Sequence, residues 1–140
     1  LKHFIKLNVI SILYALMIFV PLELMVNVYR ISRITGIDIG AVTIGSGIAT
    51  IVGFILGTTL FFFLTNKWLN GRKMNYWTII LWVPYFVLFG YLFASYFPIT
   101  YGGDDPNPAT GLVAIGALLS FPFYILIINL IGSVNYDKTI

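Results

Sequence analysis

The chain contains no cysteine and one histidine, His3. Without a thiol there is no disulfide exchange, no thiol nucleophile, no iron–sulfur ligation and no cysteine-based zinc site. With one histidine, haem held by paired histidines and His-x-x-x-His metal chemistry are excluded. No serine has a histidine partner with which to build a nucleophile and its base. Gly45-Ser46-Gly47 lacks the spacing of a phosphate-cradling loop and falls inside an apolar run. Charge is scarce as well. Charged residues are 9% of the chain, against about 25% in soluble domains. The acidic groups are Glu23, Asp38, Asp104, Asp105 and Asp137. An enzyme would have to work with these carboxylates and tyrosine alone, so no catalytic residue, cofactor or metal site is expected.

What the chain has in abundance is apolar length. Hydrophobic residues make up 59% of it. A bilayer core of about 30 Å takes about 20 apolar residues in a helix, and four runs meet that length, at about 4–28, 39–64, 77–97 and 109–131. The last three carry no charged residue. Transmembrane strands would alternate polar and apolar positions; these runs are continuous, which argues helix. The links between them are short, leaving no room for a soluble domain. The expected fold is an all-α integral membrane protein, a compact bundle of four transmembrane helices forming one domain over 1–140, with sequential helices antiparallel.

Sidedness follows from lysine and arginine. Lys2, Lys6, Lys67, Arg72, Lys73 and Lys138 fall on one side, and only Arg30 and Arg33 on the other. Both termini are therefore expected in the cytoplasm, or in the matrix or stroma of an organelle. The net charge of +3 reflects this bias and calls for no nucleic acid. Lys2 and Lys6 resemble the basic start of a signal peptide. However, no small-x-small cleavage site follows, and the apolar stretch is longer than such a leader needs. The first run is read as a retained helix.

Glu23 is the one acidic residue inside an apolar run, and an intramembrane carboxylate is a functional hypothesis by default. At 1.5 Å per residue it lies about 10 Å from the helix centre, near the hydrocarbon edge, where a charge costs less than the ~2.5–3.5 kcal/mol of the midplane. Asn27 and Arg30 follow at i+4 and i+7 on the same face. This polar stripe (Glu23, Asn27, Arg30) suits contact with a partner, a lipid head group or an ion. Asp104-Asp105-Pro106-Asn107-Pro108 reads as a turn rather than a cation loop, with Asn107 capping the fourth helix.

The four runs differ in their packing signals. Ser46, Ala49 or Thr50, Gly53 and Gly57 give the second a small-residue face, and Gly111, Ala114, Ala117 and Ser120 give the fourth another. Such faces let helix backbones approach in lipid, either with each other or with another subunit. The third run is crowded with aromatics and is expected to meet lipid or a large partner. Trp68, Tyr76 and Trp77 form an aromatic belt at one interface, and Tyr96 and Tyr101 at the other. Asn129 is expected to bond a neighbouring helix.

These features favour a non-catalytic integral subunit, or an assembly or stabilising factor, of a larger membrane complex. Its partners would be the lipid bilayer and other integral membrane subunits or further copies of itself. A bacterial or archaeal plasma membrane or an organelle inner membrane is the expected location. The alternative is a small oligomeric transporter or channel with Glu23 as its ion- or proton-coupling carboxylate.

Overall fold

A computed structural model describes residues 1–70 and 72–139, with side chains as far as Val134. The side chains of Asp137 and Lys138 lie outside the described residues. Among the described residues every regular element is helical: α1 (Lys2–Val26), α2 (Val28–Thr35), α3 (Ile39–Phe63), α4 (Thr78–Tyr96) and α5 (Pro108–Thr139). Among the described residues, four stretches are long and apolar enough to cross a membrane: Lys2–Val26, Ile39–Trp68, Lys73–Tyr96 and Pro108–Val134.

The ends of the runs differ from expectation for local reasons. The first run stops at Val26. Asn27 leaves the helical region at φ −102° and ψ 17°, and the chain restarts as α2 where a loop over 29–38 was expected. In α2, Gly36 closes the helix in the left-handed conformation, φ 73°, which glycine adopts without a Cβ clash. The Asp38 carboxylate then accepts from the Gly40 amide at 3.0 Å and caps α3. Past Phe63, α3 widens into a π turn over Leu64–Trp68, closed by Leu69 N–H donating to Leu64 O at 2.7 Å. The third span opens with a 3₁₀ turn, Lys73–Trp77. At α5, Asn107 Oδ1 accepts from the Ala109 amide at 2.9 Å, the cap expected there.

The core is organised around α1. Leu7, Ile10, Tyr14 and Ile18 recur at helical spacing and are buried. The Tyr14 ring stacks on Phe61 of α3, centroids 4.1 Å apart, and meets Phe121 of α5 edge-on at 6.2 Å. Trp82 of α4 meets Phe121 at 5.0 Å. One aromatic cluster thus ties all four long helices together. Each such pair contributes about 0.5–1.5 kcal/mol beyond its buried area.

The third span faces outward over only part of its circumference. Phe86, Phe89 and Phe93 all pack on Phe19 of α1, at 6.2, 5.8 and 6.1 Å between centroids. Tyr85 donates to Asn8 Oδ1 at 2.6 Å. Only its other face, with Val87, Tyr91 and Tyr96, is exposed. Asn129 does bond across helices, donating to Thr78 Oγ1 at 3.2 Å.

Candidate functional site

The polar stripe at the end of α1 converges on a pocket between α1 and α4. Pro21 has no amide hydrogen to give, and two turns later the helix breaks at Asn27. That break turns Asn27 inward, where it is buried. Its side-chain amide donates both to Glu23 O at 2.8 Å and to Glu23 Oε2 at 2.9 Å. Glu23, Asn27 and Arg30 line this pocket of about 410 Å³ with Gly90, Phe93, Ala94 and Phe97. The three stripe residues are therefore brought together. Arg30 does not turn to Glu23. It donates to Phe97 O at 2.8 Å and places Nε 3.9 Å from Asp104 Oδ2.

Beyond the pocket, Arg33 grips Asp104 through two parallel hydrogen bonds, Nε to Oδ1 at 2.8 Å and Nη2 to Oδ2 at 2.7 Å. The guanidinium also lies 4.8 Å from the Tyr101 ring. Asp104 is 2% exposed and ends a single 3₁₀ turn, Gly102–Asp104, in keeping with the turn reading of this loop. The Arg33 hydrogen bonds beside Asp104 hold its carboxyl below the usual carboxylate range, against the opposing effect of burial. Sequence reasoning missed this pair. Its available signal was that two arginines and three aspartates, Asp38, Asp104 and Asp105, share one end of the bundle.

The small residues divide three ways. A Cβ on Gly57 would meet Met17 Cε at 3.2 Å, so that position packs on α1. Ser46, Ala117 and Ser120 line an apolar cleft of about 660 Å³ between α1, α3 and α5. A Cβ on Gly53 or Gly111 would meet nothing within 4 Å, and Ala114 is half-buried. Spans two and four do touch, yet away from Gly53 and Gly111. They meet where Thr58 and Tyr124 share a 2.7 Å hydrogen bond and Asn66 donates to Gly132 O at 3.2 Å. The cleft opens where the seam was expected to close. Its threonines and Ser120 turn their protons back to their own helices: Thr43 to Ile39 O, Thr50 to Ser46 O and Ser120 to Gly116 O.

The aromatic belt residues sit at the two ends of the bundle. Trp68 is half-buried under Lys6, whose Nζ lies 5.6 Å from the ring centroid. Tyr76 is half-buried, and Trp77, Tyr96 and Tyr101 are exposed. No protein-family model, curated protein or solved structure matches the chain.

Proposed function

We propose that the chain is a non-catalytic integral subunit, or an assembly or stabilising factor, of a larger membrane complex. The observation that carries this reading is the exposed small-residue face of α3. Only 6% of its apolar window is buried, against 28% for α1. Gly45, Ala49 and Gly53 recur at i+4 along α3 and are all exposed. A lipid-facing helix gains nothing from a glycine ladder, whereas a neighbouring helix can approach closely along one. The buried line of α1 below Glu23, formed by Ile18, Ala15, Tyr14 and Ile10, supports assembly over conduction. On this reading both termini and the Lys67–Lys73 segment face the cytoplasm or matrix, in a bacterial or archaeal plasma membrane or an organelle inner membrane.

The test is native purification in mild detergent with mass spectrometry, run on the natural chain, Ala49→Leu and Ile55→Ala. Defined subunits should co-purify with the natural chain and with Ile55→Ala and be lost from Ala49→Leu. A monodisperse, partnerless natural chain would overturn the proposal.

A further inference from the structure

The α1–α4 pocket has a chemistry that the subunit reading does not use. Glu23 is half-buried near the hydrocarbon edge, where a charge costs less than at the midplane but still gains from a partner. The basic residue of the same stripe is Arg30. Arg30 is committed elsewhere, to the Phe97 carbonyl and to Asp104. Among the described residues, the ion pairs of Arg30 and Arg33 both end on Asp104 and none reaches Glu23. Asn27 holds Glu23 Oε2 in place from a buried position. The other oxygen, Oε1, makes no hydrogen bond among the described residues. The carboxylate is thus fixed by one oxygen and left open by the other, beside a pocket of about 410 Å³. That volume is within the ~300–1,000 Å³ of small-ligand sites.

The walls decide what kind of cation fits. A hard metal ion such as calcium asks for about six to eight oxygens. Here there is one carboxylate. The Glu23 carbonyl already accepts twice from Asn27, and the Phe97 carbonyl accepts from Arg30. Apart from the Asn27 amide and the Arg30 guanidinium, which is directed to the Phe97 carbonyl and Asp104, the remaining surface is hydrocarbon and aromatic. Phe93 and Phe97 lie 5.3 Å apart, tilted by 38°, and a ring face attracts a cation. On the same face of α4, Gly90 leaves open space where a Cβ would stand. One fixed carboxylate with aromatic walls suits a cation that carries its own apolar coat.

We propose that Glu23 anchors a binding site for a compact organic ammonium, seated between α1 and α4 against Phe93 and Phe97, with Asn27 as the positioning residue. Arg30 makes no ion pair with Glu23; it donates to the Phe97 carbonyl and lies 3.9 Å from Asp104.

The test is equilibrium dialysis of radiolabelled tetraethylammonium against the purified full chain in uncharged maltoside micelles. The natural chain and Asp105→Asn, which removes an exposed carboxylate at the same end, should show saturable uptake at one site per chain. Glu23→Gln and Gly90→Leu, which fills the pocket without touching the carboxylate, should each bind about tenfold or more weakly. A second measurement needs no variant: carbodiimide labelling of Glu23 in the natural chain, mapped by mass spectrometry, should be slowed by tetraethylammonium and not by equal sodium. Non-saturable uptake, equal binding by Glu23→Gln, indifference to Gly90→Leu, or equal protection by sodium would each overturn the proposal.

Discussion

Arg33 and Asp104 stand 71 positions apart in the chain and meet in a two-pronged pair, 2.8 and 2.7 Å long. The fork of a guanidinium matches both carboxylate oxygens at once, which a lysine ammonium cannot do. The pair pins α2 to the link between α4 and α5, and so fixes one end of the bundle. Arg33→Lys should loosen that link more than loss of a surface charge would. Hydrogen exchange of the 98–107 amides would report it.

The same pair sets an acid limit. The Asp104 carboxyl sits below its ordinary value of 3.8 in the folded protein. A carboxylate lowered on folding stabilises the fold fully above the unfolded value and loses that contribution as pH falls through the folded one. The thermal midpoint of the natural chain should therefore be insensitive to this pair above about pH 5, and should decline below 3.8. Asp104→Asn should begin lower at neutral pH and show a shallower acid decline. Parallel curves for the two proteins would count against it.

Asn129 is 1% exposed and joins α5 to α4 through Thr78. The Thr78 hydroxyl passes its own proton to Asn75 O at 2.6 Å, so the three groups form a short chain across the interface. Asn129→Ala removes the donor and leaves a gap. Unfolding by denaturing detergent should show a loss of about 1–2 kcal/mol, with Asn129→Leu losing less because it restores volume. Thr78→Val should lower the cost of the second change when the two are combined, since both remove one interaction.

Tyr85 and Asn8 make the corresponding tie between α4 and α1. Tyr85→Phe keeps the ring, half-buried against the core, and removes only the hydroxyl that donates to Asn8 Oδ1 at 2.6 Å. The expected loss is about 0.6–1.7 kcal/mol by the same unfolding measurement. A larger loss would mean that the ring itself has moved.

The spans were legible because crossing a bilayer imposes a length, and length survives any uncertainty about packing. Their ends were less so. A broken helix such as α1–α2 needs only one residue, Asn27, to leave the helical region, and the eight residues of α2 are too polar and too few to show as a run. The direction of each face was harder still. A soluble helix shows its buried side as an apolar stripe, but helices in lipid are apolar all round. Nothing in the order of residues therefore separates Phe86, Phe89 and Phe93, which pack on Phe19, from Tyr91 and Tyr96, which point outward. The Glu23–Asn27–Arg30 stripe was readable from i+4 and i+7 spacing alone. The commitment of Arg30 and Arg33 to Asp104 was not, because a single chain states no distant pairing.

Glycine supplies the sharpest contrast between inner and outer faces. At Gly132 an added Cβ would stand 2.6 Å from Thr65 Cγ2 and 2.9 Å from Thr65 Cβ, and Thr65 is fully buried. Gly132→Ala must push the π turn away from α5, at a cost of about 1–3 kcal/mol. At Gly57 the neighbour is the flexible thioether of Met17, 3.2 Å away, which can give way, so Gly57→Ala should cost under about 1 kcal/mol. Gly53 has no neighbour within 4 Å. Gly53→Ala should leave the isolated chain unchanged or raise its stability by about 0.5–1 kcal/mol, the ordinary gain of alanine over glycine in a helix. Unfolding of the three purified variants should therefore rank Gly132→Ala as the least stable and Gly53→Ala as the most stable. If Gly53 belongs to a subunit contact, the order inverts in the assembled complex: Gly53→Ala should weaken co-purification while Gly57→Ala leaves it intact. Equal co-purification by both, with the ranking of the isolated chains preserved, would place the contact on a different face of α3.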